Sequence, residues 1–255
     1  MDILTSKEKG ILTIEFNRPE KKNAITAAMY QIMADAIKDA EADAAVRAII
    51  IQGKPEVFTA GNDLDDFLKN SSAGVSDRPV AQFMRALSGA TKPVLAAVAG
   101  NAVGIGTTLL MHCDLVYAGD NAKFAMPFTQ LGLCPEFASS MLFPQMVGYP
   151  RAAEKLLLGE AFGAEEAYDM GLVSKVVPVA ELSDLARSQA AKLAALPASS
   201  LRVTKRLMKS AQADAINARM AEENKHFGDM LMSLEAKEAF TAFFEKRRPD
   251  FTKFA

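Results

Sequence analysis

Two short, uninterrupted apolar runs constrain the fold of this chain more than any other feature. The runs "VRAIIIQG" (46–53) and "PVLAAVAG" (93–100) show no alternation of polar and apolar residues. A strand with that pattern is covered by other structure on both of its faces. The segments "GILTIEFN" (10–17), "LVYAG" and "KFAM" are further predicted strands, because β-branched and aromatic residues are enriched in them.

Helical segments separate these strands. In "TAAMYQIMADAIKDAEAD" (26–43), apolar residues recur with the spacing of one helix face, and Thr26 is suited to cap the helix. The apolar residues of that face are Met29, Ile32, Met33, Ala36 and Ile37. Strands that alternate with helices predict an α/β fold with right-handed crossovers and a mostly parallel sheet. From Pro150 onward the periodicity is mainly helical, with one strand-like segment, "LVSKVVP".

Composition excludes several classes of partner. The chain has 255 residues, 50% of them hydrophobic and 24% charged, which is typical of a globular protein with a substantial core. A net charge of −2 offers no broad attraction for nucleic acid. No apolar run is long enough for a membrane span, and Cys113 and Cys134 lack metal-ligand spacing. We therefore expect a cytoplasmic protein that binds neither nucleic acid nor membrane.

Two glycine-containing turns are candidates for binding an anion through backbone N–H groups. In "VFTAGNDL" (57–64), Gly61 allows the chain to turn the amide of Asn62 out of the sheet. In "AGNAVGIGTTLLMHCD" (99–114), glycines lead into a predicted helix that starts near Gly106. Turns with the composition of the first are common and alone favour an ordinary loop, whereas the glycines of the second are equally explained by close packing of helix and strand. Together, two N–H donors that converge on one oxygen are what a thioester enolate requires.

Five segments, in this order and spacing, resemble the enoyl-CoA hydratase/isomerase (crotonase) superfamily. They are "FNRPEKKNAI", "VFTAGNDL", "KPVLAAVAGNAVGIGTTLLMHCDLVYA", "FAMPFTQLGLCPE" and "FFEKRRPDF". The resemblance implies a crotonase-like ββα spiral core over residues 1–195. It also implies a C-terminal helical trimerisation region over residues 196–255, an acyl-CoA thioester substrate, and a homotrimer or a dimer of trimers.

The resemblance also assigns the catalytic residues. It implies an oxyanion hole formed by the backbone N–H groups of Asn62 and Ile105. The two glutamates of the family's hydratases correspond to Thr108 and Phe128, and neither side chain can act as a carboxylate base. Ordinary 2-enoyl-CoA hydration is therefore not expected.

One carboxylate, Glu136, remains at a position with a catalytic counterpart. In "LGLCPEFASS" it follows a proline, as does the catalytic glutamate of peroxisomal-type Δ3,Δ2-enoyl-CoA isomerases. Phe137 stands where those enzymes usually have glycine. A buried position near Leu133, Phe128 and Phe137 would raise the pKa of Glu136 and exclude water.

For the CoA part of the substrate, the resemblance implies contacts from two regions. One contains Lys22, Ala24, Ala60, Asp63 and Leu64. The other is "FFEKRRPDF", where Phe243 and Lys246 match residues that reach the CoA of a neighbouring subunit. An ordinary solvated basic tail is the alternative for this second region. No metal or redox cofactor is implied.

The working hypothesis is isomerisation of 3-enoyl-CoA to trans-2-enoyl-CoA, with Glu136 carrying a proton from C2 to C4. Other reactions through a thioester enolate, such as hydrolysis or carbon–carbon cleavage, remain alternatives, as does an acyl-CoA-binding protein without turnover. His112, in an apolar helical stretch, is expected to be a hydrogen-bonded core residue and not a base. Residues 69–79 have the Ser and Gly content of a mobile loop, which could border a binding site.

Overall fold

The computed structural model describes residues 1–69 and 78–254, with the side chains of residues 67–69 left out. Most of the segment 69–79, predicted from the sequence to be a mobile loop, lies outside the described residues. The strands are β1 (Ile3–Glu8), β2 (Ile11–Phe16), β3 (Ala48–Gln52), β4 (Val57–Thr59), β5 (Val94–Val98), β6 (Asn101–Val103), β7 (Leu115–Gly119), β8 (Lys123–Ala125), β9 (Phe162–Gly163) and β10 (Lys175–Val177).

The strands form two sheets. The larger has the order β1-β2-β3-β5-β7-β10 and is parallel apart from the antiparallel pair β1–β2. The smaller has the order β4-β6-β8-β9 and is parallel apart from β8–β9. The predicted mostly parallel core is confirmed, and the smaller sheet carries the glycine turns.

The two apolar runs form β3 and β5, in which every residue is buried. Along β3, Ile49 and Ile51 belong to the main core, whereas Ala48 and Ile50 face a second cluster. The runs are continuous because successive side chains enter different cores. The sequence did not predict β1, since only Ile3 of its six residues is buried and no apolar pattern marks it.

The described helices are α1 (Ala27–Ala42), α2 (Leu64–Lys69), α3 (Pro79–Ser88), α4 (Ile105–Thr108), α5 (Ser139–Val147), α6 (Tyr149–Leu158), α7 (Ala164–Asp169), α8 (Val179–Ala195), α9 (Ala198–Lys209), α10 (Ala213–Leu231) and α11 (Leu234–Phe244). Of these helices, none is long and apolar enough to cross a membrane. The predicted cap is confirmed, since the Thr26 hydroxyl accepts a hydrogen bond from the Met29 N–H at 3.3 Å. The predicted position of Ile32 on the apolar face was wrong, because the buried face turns toward Tyr30 and Ala34.

The C-terminal helices are joined to the core by buried polar contacts. The Lys205 ammonium, on α9, donates to the Asp114 carboxylate at 2.6 Å and to the Lys92 carbonyl at 2.7 Å. The predicted boundary between residues 195 and 196 falls in the connection from α8 to α9. The division into these two regions remains a prediction.

Candidate active site

The two glycine turns lie directly against each other. Gly61 follows β4 with a φ of +87°, and Gly104 follows β6 with a φ of +56°. A Cβ atom on Gly61 would lie 2.7 Å from the Val103 carbonyl oxygen and 4.0 Å from the Gly104 nitrogen. Only glycine permits this backbone conformation and this close approach. The sequence therefore brings the backbone of Asn62 next to the start of α4.

The N–H groups of Asn62 and Ile105 are available to a ligand. The Ile25 N–H donates to the Gly61 carbonyl at 2.8 Å, and the Ile25 carbonyl accepts from the Asp63 N–H at 2.9 Å. These two bonds flank Asn62 and do not use its N–H group. Ile105 is the first residue of α4, where N–H groups have no intrahelical acceptor. Within the part of the chain that the structure describes, neither N–H group meets an acceptor.

The helix that begins at Ile105 is short. α4 has four residues and continues into one turn of 3-10 helix, Leu109–His112. A helix of this length has a small macrodipole. An anion at this turn would therefore be held by individual N–H groups more than by the helix dipole.

Glu136 lies against the same short helix. Its side chain is 6% exposed, and the Thr108 hydroxyl, one turn after Ile105, donates to the Glu136 carboxylate at 2.5 Å. Burial raises the pKa of Glu136 to about 8, the hydrogen bond from Thr108 opposes the rise, and the charge of Glu223 adds to it. Phe128, Leu133 and Phe137 are all buried, as the predicted apolar surroundings require. A carboxyl with this pKa is a strong base when it ionises.

The turn after Glu136 has an unusual backbone. Phe137 and Ala138 have φ values of +60° and +58°, in the left-handed region that favours glycine. The His112 Nε2–H donates to the Phe137 carbonyl at 2.8 Å, and the two rings stack with centroids 3.8 Å apart. Burial lowers the pKa of His112 to about 4, so this side chain is a neutral core residue. The prediction for His112 is confirmed.

Sequence reasoning missed two polar side chains of the site. Glu223, on α10, accepts hydrogen bonds from the Ala138 and Ser140 N–H groups, at 2.6 and 3.0 Å. The Tyr30 hydroxyl donates to the Asn62 side-chain carbonyl at 2.5 Å. Burial first, and the charge of Glu136 second, raise the pKa of Tyr30 well above its usual value. Both residues lie in ordinary helical periodicity, so no local sequence signal marks them.

The predicted CoA-contacting residues around the first turn form one cluster beside Asn62. The Lys22 carbonyl accepts from the Ala60 N–H at 2.9 Å, which joins two of them directly. Arg18 joins two more, since its guanidinium donates to the Ala24 carbonyl at 2.9 Å and to the Asp63 carboxylate at 2.7 Å.

The remaining members of the predicted CoA set lie elsewhere. Leu64 begins α2, next to this cluster. Phe243 and Lys246 lie exposed at the end of α11, a helix that packs against residues 129–132. Their predicted contact with a neighbouring subunit's CoA stays a prediction.

A family model described as enoyl-CoA hydratase/isomerase matches residues 6–253, which is nearly the whole chain. The chain belongs to the enoyl-CoA hydratase/isomerase family. A solved enoyl-CoA hydratase/isomerase from Pseudoalteromonas atlantica T6c superposes with a TM-score of 0.94 at 38% identity, over 99% of this chain and 100% of that one. The predicted α/β fold, a crotonase-like core followed by a helical C-terminal region, is confirmed.

Curated relatives of this family member include both isomerases and hydratases. The rat enoyl-CoA delta isomerase 2 is 37% identical over 96% of this chain, and the chain spans 64% of that protein's length. The 2,3-dehydroadipyl-CoA hydratase of Escherichia coli K12 is 30% identical, over 98% of each chain. The relatives are therefore enzymes that catalyse different reactions of acyl-CoA substrates. Which of these reactions this chain catalyses has to be argued from the site.

Thr108 and Phe128 stand at the positions that the resemblance assigns to the two glutamates of the family's hydratases. Thr108 is buried and bonded to Glu136, and Phe128 is buried with 5% of its surface exposed. Among the described residues, no group of three or more His, Cys, Asp or Glu side chains is arranged to hold a metal ion. In the part of the chain that the structure describes, Glu136 is the carboxylate that a hydrogen bond joins to α4.

Proposed function

We propose that this enzyme isomerises 3-enoyl-CoA to trans-2-enoyl-CoA, with one glutamate as the proton carrier. The observation that carries the proposal is the environment of Glu136. This carboxyl is buried beside the helix that begins at Ile105, and its pKa is raised to about 8. A single buried base near two free N–H groups suits proton transfer within one substrate.

The first step removes a proton from C2. The ionised Glu136 takes this proton, the C2–H electron pair forms a double bond to C1, and the negative charge moves to the thioester oxygen. The Asn62 and Ile105 N–H groups donate hydrogen bonds to that oxygen. In comparable sites, one such donor contributes about 10²- to 10³-fold to the rate.

The second step returns the proton at C4. The thioester carbonyl re-forms, the electron pair of the C1–C2 double bond becomes the C2–C3 double bond, and the electron pair of the C3–C4 double bond takes the proton from Glu136 at C4. The carboxylate is regenerated, so atoms and charge balance without another reactant. One carboxylate performs both transfers when it lies over both carbons.

Exclusion of water separates this reaction from hydration. Hydration needs a positioned water and a carboxylate to activate it. Thr108 supplies a hydroxyl that is already bonded to Glu136, and Phe128 supplies a buried ring. These replacements favour isomerisation, although hydratases are present among the relatives.

The proposal includes binding of CoA and assembly. The cluster of Lys22, Ala24 and Ala60 lies beside Asn62, where the nucleotide end of CoA would approach. Phe243 and Lys246 would contact CoA from the adjacent subunit of a trimer. Exposed apolar side chains on the C-terminal helices support such an assembly, among them Leu207, Met208, Met232, Leu234 and Phe243.

The test is a paired assay on the wild-type protein. Isomerisation of 3-enoyl-CoA esters of several chain lengths is followed by the ultraviolet absorbance of the conjugated product, and hydration of 2-enoyl-CoA is followed in parallel. We expect isomerisation to exceed hydration by at least about 10²-fold, since no second carboxylate activates water. Hydration as the faster reaction, or inactivity with every chain length, would contradict the proposal.

A further inference from the structure

A buried carboxylate from the C-terminal helices makes three hydrogen bonds to the segment that follows Glu136. Glu223 is 5% exposed and lies on α10. It accepts from the Ala138 N–H at 2.6 Å, the Ser140 N–H at 3.0 Å and the Ser140 hydroxyl at 2.5 Å. All three partners are donors, so the side chain is satisfied as an ionised acceptor.

The segment that Glu223 binds is strained. Phe137 and Ala138 both have positive φ, a backbone region that is unfavourable for residues with a side chain. Such a backbone persists only where its surroundings over-determine it. His112 holds the first strained residue through its carbonyl, and Glu223 holds the second through its N–H group. Glu136 precedes both, so the turn sets the direction of its side chain.

We propose that Glu223 is a positioning residue for Glu136. By binding the N–H groups of Ala138 and Ser140, it holds the strained turn and fixes the Glu136 carboxylate against Thr108 on α4. The inference rests on the proposed function, because it assigns Glu223 a role in that reaction. It also makes α10 a part of the active site, so the site is incomplete without the C-terminal helices.

The charge of Glu223 acts on Glu136 as well. It raises the pKa of Glu136, after burial and against the hydrogen bond from Thr108. Burial raises the pKa of Glu223 itself, while its three donors and the charge of Arg219 oppose the rise. Among the described residues, Tyr30 on α1 and Cys134 in the preceding loop have pKa values raised by burial and by the charge of one or both members of the pair, and the neutral His112 bonds the Phe137 carbonyl next to it. Arg219, also on α10, is a cation whose charge opposes the rise in the pKa of Glu223.

The direct test is Glu223→Gln. A glutamine offers one acceptor oxygen, so its NH₂ group opposes the N–H of Ala138 or of Ser140. We expect kcat to fall by about 10- to 10²-fold, the size of effect that a misplaced catalytic group produces. KM should change less than about twofold, because the proposed CoA contacts lie on other elements. The pH midpoint of kcat/KM should move to lower pH, since a negative charge beside Glu136 is lost.

Two further variants separate positioning from charge. Glu223→Asp keeps the charge and shortens the reach, so kcat should fall without the shift to lower pH. Adding Ala138→Gly to Glu223→Gln should restore part of kcat, because glycine adopts positive φ without strain. Asp229→Asn is the matched control, since it neutralises an exposed carboxylate on α10 that pairs with Lys225, and it should behave as the wild type.

A titration that needs no turnover distinguishes the two proposals. The protein is labelled with ¹³C at its glutamate carboxyl carbons, and the Glu136 signal is assigned by its loss in Glu136→Gln. Its midpoint should move to lower pH in Glu223→Gln and stay in place in Asp229→Asn. If the wild type shows no isomerisation, the proposed function fails, and this titration alone decides whether Glu223 acts on Glu136.

Several results would overturn the assignment. A folded Glu223→Gln protein with wild-type kcat overturns it, whatever the titration shows. Where isomerisation is absent, an unmoved Glu136 midpoint in that variant overturns it. If Glu223→Gln does not fold, a folded Glu223→Asp protein with wild-type kcat overturns the assignment.

Discussion

At the residue scale, burial of Glu136 has two opposing effects, one on its strength as a base and one on the stability of the fold. Its pKa of about 8 makes it a stronger base than a solvated carboxylate, whose pKa is near 4.5. The same shift costs stability, because the unfolded chain releases the Glu136 proton at a lower pH than the folded protein does. Through this one group, the free energy of unfolding therefore falls as the pH rises from about 4.5 to about 8.

Replacing the group should remove that loss. In Glu136→Gln, the free energy of unfolding should exceed the wild-type value by an amount that grows by roughly 1.4 kcal/mol per pH unit across this window. At pH 7 the difference is on the order of 3 kcal/mol. Urea unfolding at pH 5 and pH 7 measures it. The exposed Glu160→Gln serves as the control, and an equal effect of both substitutions would contradict the assigned pKa.

The hydroxyl of Thr108 should tune the same group in the opposite direction. Its hydrogen bond lowers the pKa of Glu136, so Thr108→Val should raise that pKa further. The midpoint of kcat/KM should then move to higher pH, and activity at pH 7 should fall about tenfold for each pH unit that the midpoint moves. Rate profiles from pH 6 to pH 9 measure this. A midpoint that moves to lower pH would show that Thr108 does not stabilise the carboxylate.

Residues differ in how far the sequence reveals them. Glu136 was a candidate because its proline context resembles a known catalytic motif, and the core position of His112 was predictable because it lies in an apolar helical stretch. Glu223 and Tyr30 were not predictable, because their roles come from contacts with residues far away in the sequence. Periodicity records which face of a helix is buried and not which buried polar group it meets.

At the element scale, the glycine turn after β4 positions the Asn62 amide. Gly61→Ala should weaken both stability and catalysis, because the added Cβ would lie 2.7 Å from the Val103 carbonyl and the φ is +87°. We expect a loss of at least about 1 kcal/mol in unfolding free energy. A loss of one oxyanion donor would lower kcat by about 10²-fold or more.

The control for this prediction is Gly163→Ala. Gly163 has a φ of −87°, and a Cβ atom there meets nothing within 4 Å. Urea unfolding and kcat are measured for both variants. If Gly61→Ala matches Gly163→Ala in stability and kcat, the turn does not depend on glycine and the account of the oxyanion hole is wrong.

Elements were predictable where burial leaves a pattern. β3 and β5 were recognisable because both faces of each strand are covered. β1 was not recognisable, because it pairs at the edge of the sheet with most of its side chains exposed. α4 was predicted at its start and not at its length, since the glycines that begin it do not determine where the 3-10 turn takes over.

At the scale of the whole molecule, the C-terminal helices have two proposed tasks. They hold the turn after Glu136 through Glu223, and they present exposed apolar side chains for assembly. Leu207 and Met208, on α9, are each 69% exposed. These helices were predicted from the helical spacing of apolar residues in the sequence. The sequence could not show which buried residue of α10 meets the turn after Glu136, because that depends on how the helices pack on the core.

Assembly is tested by sedimentation equilibrium. We expect the wild type to be a trimer, or a multiple of one, at micromolar concentration. The double variant Leu207→Glu/Met208→Glu should dissociate, because it places charges on an apolar surface that the trimer would bury. The control is Glu181→Gln/Asp184→Asn, a double change of exposed charged residues on α8 that leaves the apolar surface intact. A monomeric wild type would contradict the proposed assembly.

The most direct test of the central claim is the kcat of Glu136→Gln on a 3-enoyl-CoA, measured together with the Kd for a saturated acyl-CoA. If Glu136 is the single proton carrier, kcat should fall by about 10²- to 10⁴-fold, and Kd should stay within about threefold of the wild type. A variant that retains kcat within about tenfold of the wild type would show that another group moves the proton.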